Sequence, residues 1–425
     1  MDIPFPRGVR DFAPNESLFR NELLRKVESV FQRFGFLTID TPSFESLKVL
    51  RAKDALGEQE KLIYEIKDED AGLRYDHTVS FARYLGMHFD QPLPFKRYVL
   101  GKVWRLDEPQ KNRYREITMA DVDIAGGTEP MADAEVLCTA ALALDQLAVD
   151  YKIRVNDRRL MDDLFSVFNL TPDAYLKLMR TVDKLDKLEI EKINELLLGM
   201  GLPKEAIDRV NLLIAKKGSN EEKLEYVEGL LKDKALTGKI RSLLALIESY
   251  NIKGTAEIDL SLVRGLDYYT GMVFEMVDAS GSVKSSIGGG GRYDNLIATY
   301  SGRSVPAVGF SIGIDRIMDL LDYQAAPRQT YANVFVAYIK ANNYPYALKV
   351  ANTIRAAGIN CEINLSSRNI SNQLNYANAM KFPRAIIIGD SEEKEGRIKL
   401  RDLIKGDESF FTVEECISTL KKETK

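Results

Sequence analysis

Two hydrophobic periods alternate along the chain. Leu18, Phe19, Leu23, Val27, Val30, Phe31 and Phe34 recur at helical spacing, with Asn15 placed to cap the start and Gly35 to stop it. A short strand is expected at 36–39, ended by Pro42. Runs at 62–66 and 73–75 read as strands about a turn, and Asp76-His77-Thr78 then opens a helix of Val79, Phe81, Ala82 and Leu85. A long strand over 95–105, a charged loop and an alternating strand over 117–124 form a hairpin, with Asp121 and Asp123 on one face. Helix 132–147, strand 151–155 and helix 159–168 follow.

From Thr171 to about Ile252 strand signals vanish, and Lys, Glu and Leu take over at helical period. Residues 171–252 therefore read as a helical insertion into a domain made of 1–170 and 253–325. Strand is expected on both sides of the next segment, at Leu262 and at Val273-Phe274. The glycines 288–291 suit an adjacent antiparallel strand, and 306–314 is a further strand leading into a helix. A polar linker precedes 331–425, where strands at 334–339, 360–365, 385–388 and 397–400 alternate with helices at 344–357 and 370–380, the pattern of a small α/β domain.

Composition excludes more than it selects. The 425 residues allow two or three domains. A net charge of −4 announces no polycation, and 331–425 is only mildly basic. Cys138, Cys361 and Cys416 have no zinc spacing and read as reduced thiols, while two histidines rule out a His-rich metal centre. No apolar run is long enough to span a membrane, and the start carries no apolar leader core, so a cytoplasmic protein without signal peptide is expected.

The candidate chemistry gathers around 262–274. There Arg264, two glycines, Asp267, Tyr268 and Tyr269 lie between apolar flanks. A permanent cation beside two phenols suits a carboxylate or phosphate together with something polar and planar; an amphipathic strand with a partly buried salt bridge fits the same letters. Arg105, Arg113 and Arg115 in and beside the charged loop suit a polyphosphate, or simply a solvated hairpin tip. Gly288 to Gly291 permit close backbone approach, and Gly309 and Gly313 precede Arg316 at a helix start.

Together these stretches resemble the class II aminoacyl-tRNA synthetases and, within the class, the histidyl-tRNA synthetase family. Pro6 to Phe12 is similar to the family's opening, Gly35 to Pro42 to motif 1, Val103 through Asp123 to motif 2 and Gly309 to Arg316 to motif 3. Arg264 to Gly271 and Gly288 to Asp294 resemble its two histidine-specific motifs. The resemblance implies an α+β fold with an antiparallel six- to seven-stranded catalytic sheet flanked by helices, a helical insert and a C-terminal α/β anticodon-binding domain. It implies that L-histidine and ATP, with Mg²⁺, give histidyl-adenylate and pyrophosphate, and that histidine passes to the 3′ end of tRNA(His). Motif 1 implies a homodimer.

Roles follow from the same resemblance. Arg105 and Arg264 act on the α-phosphate and the histidine carboxylate, and Arg113, Tyr114 and Arg316 on ATP. Asp76 and Thr78 take the α-amino group, and Asp123, Tyr268 and Tyr269 the imidazole. Gln110 and Arg115 meet the tRNA acceptor end. Gly288, Gly289, Gly290, Gly291 and Arg292 form a pocket wall, and no dedicated metal cage is implied. Two positions depart from the pattern: Met119 replaces a glutamine that contacts the amino acid, and His77 replaces an apolar residue. The competing reading is a catalytically silent paralogue acting as a histidine- or tRNA-sensing regulatory subunit.

Overall fold

The computed structural model describes residues 5–52, 57–109, 114–182, 188–263, 268–283, 286–322 and 329–423. The chain forms two compact units, one of the residues up to Arg10 with Glu22–Leu321, the other of Asp11–Asn21 with the residues from Asp322 onward.

In the first unit, β1 (Leu37–Thr38) is followed by a small antiparallel sheet of β2 (Phe44–Ser46), β3 (Tyr64–Glu65) and β4 (Ala71–Leu73). The long hairpin is β5 (Phe95–Trp104) and β6 (Glu116–Ala125), paired over its full length from Phe95–Ala125 to Trp104–Glu116. Then come β7 (Tyr151–Asp157), β8 (Thr255–Ile258), β9 (Met272–Asp278), β10 (Gly288–Arg292) and β11 (Ala307–Gly313). Eight strands form one sheet in the order β1-β5-β6-β11-β10-β9-β7-β8.

The six inner strands pair antiparallel throughout, whereas β1 joins β5 and β8 joins β7 in parallel. The sheet is therefore mixed and eight-stranded, which corrects the expectation of an antiparallel sheet of six or seven strands. A parallel neighbour needs a long crossover. The chain supplies one through the small sheet and helix Thr78–Met87, and another through helices from Arg158–Ser166 to Ala235–Ser249. Of the two added strands, β1 lies within the strand expected at 36–39, whereas β8, of four residues, carries no readable alternation. The strand expected at Leu262 is also absent: that segment is a turn, held by the Asn156 side-chain amide donating to the Leu262 carbonyl at 2.9 Å.

The two sheet faces are covered differently. Helix Met131–Gln146 packs on β6, β10 and β11, and eleven of its residues are buried, because its Ala- and Leu-rich sequence is apolar around most of its circumference. The other face carries Phe95, Arg97, Asp121 and Asp123 and lies under helix Thr78–Met87, whose Phe81 stacks on Phe95 and sits under the Arg97 guanidinium. That second face holds the site.

The second unit contains β12 (Val334–Tyr338), β13 (Cys361–Ile363), β14 (Arg384–Ile388), β15 (Ile398–Asp402) and β16 (Glu408–Phe411), in the order β13-β12-β14-β15-β16. The first three are parallel and the last two antiparallel additions. Helix Tyr344–Ala356 buries Ala347, Val350, Ala351 and Ile354 against this sheet's core.

Candidate active site

Antiparallel register sets three rows of side chains across β5, β6 and β11. They read Arg97–Asp123–Gly309, Val99–Asp121–Ser311 and Gly101–Met119–Gly313. Arg97 and Asp123 are both almost fully buried and form an ion pair at 2.9 Å. Burial drives the Asp123 carboxyl up, and the nearby Asp121 and Asp76 add to this; Arg97 and a hydrogen bond from Tyr293 restrain it, leaving it at about 6. Gly309 is required here, since a Cβ on it would lie 2.0 Å from Asp123 Oδ1.

Three phenols continue the pocket. Tyr293 donates to Asp123 Oδ1 at 2.5 Å. Tyr268 meets Tyr293 and Tyr269 edge-on, with ring centroids 5.9 and 5.0 Å apart, and its hydroxyl lies 3.5 Å from Asp76 Oδ2. Tyr269 packs over Gly291, where a Cβ would come within 2.8 Å of its ring. Burial pushes Tyr268 and Tyr293 well above the usual phenol range, so both are neutral donors.

Asp76 closes the pocket's amino-terminal side. Its carboxylate accepts the Val79 amide at 2.9 Å and so caps helix Thr78–Met87. Burial raises its pKa, against the pull of that amide and of Arg105. Arg105 Nε donates to the Tyr75 carbonyl at 2.9 Å, which brings the guanidinium beside Asp76. Thr78 is the first residue of the helix and is half-buried. Met119 is half-buried in the third row, and the Arg316 stem lies over the neighbouring Gly313. Arg316 donates to the Ser286 carbonyl.

Of the residues singled out from sequence, the fold thus brings Asp76, Thr78, Arg105, Asp123, Tyr268, Tyr269, Met119, Gly291 and Arg316 around one face. Tyr114 and Arg115 lie in the hairpin's connecting loop, directly before β6. Tyr114 lies under the Arg10 guanidinium, and Arg115 Nε donates to the Asp107 carbonyl while its amide bonds to Gly8. Arg113, Gln110 and Arg264 lie outside the described residues.

The pocket wall needs correction. Strand alternation turns Gly288, Gly290 and Arg292 to the opposite face, where Gly288 meets the Phe310 ring and Arg292 is forked by Asp133 at 3.0 and 2.9 Å. Arg292 is an interior ion-pair partner, joined also by Asp294 and Glu129. Sequence reasoning had no role for Tyr293 or Arg97. Arg97 was legible only as a charge in an apolar strand, since its meeting with Asp123 depends on a register that the long loop leaves open.

A family profile described as "Histidyl-tRNA synthetase" matches residues 8–317, and one described as "Anticodon binding domain" matches 333–423. The Aeropyrum pernix "Histidine--tRNA ligase" is 37% identical, over 98% of this chain and 97% of that one. The ligase of the same description from Pyrococcus furiosus is 34% identical over 99% of both chains. The crystal structure of histidyl-tRNA synthetase from a Nostoc species superposes with a TM-score of 0.86 at 26% identity, covering 100% of both. A Bacillus halodurans structure described as an ATP phosphoribosyltransferase regulatory subunit/histidyl-tRNA synthetase shares the fold, at 20% identity and a TM-score of 0.77 over 92% of this chain and 99% of that one. With its profile match over most of its length and these relatives, the chain belongs to the histidyl-tRNA synthetase family.

Proposed function

We propose that the chain is a histidine–tRNA ligase whose first step joins the histidine carboxylate to the α-phosphate of ATP, releasing pyrophosphate, and whose second passes histidine to the 3′ end of tRNA(His). The observation that carries this reading is the row Asp76, Tyr268, Tyr293 and Asp123 along one wall of the site, a hydrogen bond at each end and an edge-on contact between the two phenol rings. Its two ends fit the two ends of histidine. Asp76, with Thr78, takes the α-ammonium, and the Asp123–Tyr293 end takes the imidazole with Tyr268 and Tyr269 enclosing the ring. Imidazole presents a donor and an acceptor on opposite edges. A site built to bond both rejects an amino acid lacking either, because buried polar groups are then left unmatched.

Arg105 lies beside Asp76, where the substrate carboxylate must sit if its ammonium meets that side chain. We assign it the carboxylate and the α-phosphate, whose mutual repulsion it screens; Arg264 is assigned the opposite side of the α-phosphate. Losing one preorganised cation of this kind costs on the order of 100–1,000-fold in rate. Arg113, Tyr114 and Arg316 are assigned to ATP, and Gln110 and Arg115 to the tRNA acceptor end. Among the described residues no three His, Cys, Asp or Glu side chains converge. Mg²⁺ would enter with ATP and would supply charge neutralisation on its phosphates, while the protein residues do the positioning.

We assign anticodon contacts to 331–425 and leave 171–252 as the helical insertion. Leu37 on the outermost strand is 61% exposed, and we propose that this motif 1 edge pairs with a second copy. No helix among the described residues is long and apolar enough to cross a membrane.

Histidine-dependent ATP–pyrophosphate exchange tests the activation step. Exchange above background with histidine, and with none of the other amino acids, is expected. Its absence with folded protein overturns the ligase reading in favour of a silent sensor.

A further inference from the structure

His77 stands between the two residues assigned to the α-ammonium, yet it does not cap their helix; Asp76 does that. Its imidazole is turned inward and is 1% exposed. Nδ1 lies 2.6 Å from Asp121 Oδ2, and Asp121 Oδ1 accepts the Ser311 hydroxyl. Arg97 donates to the His77 carbonyl at 3.1 Å, so the main chain is pinned as well. With Nδ1–H donated to a carboxylate, the tautomer is fixed and Nε2 is left as an acceptor.

That acceptor has no hydrogen-bond partner among the described residues. An unmatched buried polar atom is costly, and a native protein keeps one where something else completes it. Nε2 lies over Gly101, where a Cβ would come within 3.0 Å of it and 3.1 Å of an Arg74 terminal nitrogen. Gly101 is the cross-strand neighbour of Met119. The third row thus holds two glycines about a thioether, which donates no hydrogen bond and accepts only weakly. Three side chains lie over those glycines: the His77 imidazole and the Arg74 guanidinium over Gly101, and the Arg316 stem over Gly313.

We propose that His77 is a specificity-determining residue, oriented by Asp121, whose Nε2 accepts a hydrogen bond from the substrate α-ammonium, directly or through one water. An ammonium has three donors, and Asp76, Thr78 and His77 supply three acceptors on consecutive residues. This deepens the histidine-ligase reading and rests on it.

The test uses the full chain and two probes that differ only at the amino group, L-histidine, which keeps it, and 3-(imidazol-4-yl)propionate, which lacks it. Calorimetry is run on wild type, His77→Leu and the double variant His77→Leu/Met119→Gln. His77→Leu should weaken L-histidine about 10- to 100-fold, the range for a hydrogen bond to a charged group, and leave the propionate within about 2-fold. In exchange assays the KM for histidine should rise by the same factor, with the KM for ATP unchanged. The double variant returns an amide to the same row and should recover most of the loss. Equal losses for both probes, or none, overturn the proposal. If His77→Leu does not fold, His77→Met, which keeps the bulk without a strong acceptor, is read in the same way. Histidine-dependent exchange by wild type separates failure here from failure of the ligase reading.

Discussion

Tyr293 donates its phenol to Asp123 Oδ1 at 2.5 Å while Arg97 holds Oδ2 at 2.9 Å, both within a face that solvent does not reach. The phenol favours the ionised carboxyl, so removing it has two consequences. Tyr293→Phe should raise the KM for histidine about 10-fold. It should also move the pH dependence of that KM upward, because Asp123 then ionises later. Unchanged steady-state exchange kinetics from pH 5 to 8 would show that this bond does not serve the pocket.

Asp123 also links stability to pH. Its folded-state value of about 6 lies above the ordinary 3.8, so the folded protein binds this proton more tightly than the unfolded chain does. The contribution is complete below about pH 3.8 and is lost as pH rises through about 6; its size is on the order of 3 kcal/mol. Asp121 acts in the opposite sense: burial raises it, but His77, Arg97 and Ser311 outweigh that and hold it below the usual range. Asp123→Asn removes only the first contribution. Melting temperature relative to this variant should therefore favour wild type more at pH 5 than at pH 7.5, and a flat difference would refute the environment described for Asp123.

Two glycines should respond differently to alanine. At Gly309 the added methyl collides with Asp123, so Gly309→Ala should cost about 1–3 kcal/mol of stability and raise the KM for histidine at least 10-fold. At Gly35, with φ of +75° and nothing within 4 Å of the added carbon, only backbone strain operates. Gly35→Ala should cost about 1–2 kcal/mol and leave the KM unchanged. Urea titration and exchange kinetics on the same preparations separate the two cases.

Arg292 and Asp133 form a forked pair on the sheet's other face, both essentially inaccessible to solvent. Breaking such a pair strands a buried charge. Asp133→Ala should lower the unfolding free energy by about 3–5 kcal/mol. Whatever folded fraction remains at low temperature should keep its KM for histidine, since neither side chain faces the pocket. A selective rise in that KM would return Arg292 to the pocket wall.

How far the sequence reached depends on the kind of information each residue needed. Strongly periodic elements were legible: β5 and β6 lie where their alternation places them, and helix Met131–Gln146 within a residue of its expected ends. β1 falls inside the short strand expected at 36–39, but β8 was not legible, because a strand of four residues has little period and exists by pairing with a distant partner. Asp76, Asp123 and the tyrosines were found through motif resemblance. Arg97 and Tyr293 were missed because their meaning is a register and a contact. Arg292 was misplaced for a related reason: in a strand, the residue after a pocket glycine faces the other way.

A site of this composition should make histidyl-tRNA. The most direct measurement is transfer of labelled L-histidine to tRNA(His) by purified protein, read as acid-precipitable, alkali-labile counts. Transfer should require ATP, fail with other amino acids and be lost in Arg105→Ala. Well-folded protein that binds histidine yet charges no tRNA, or charging undiminished in Arg105→Ala, would contradict the ligase reading.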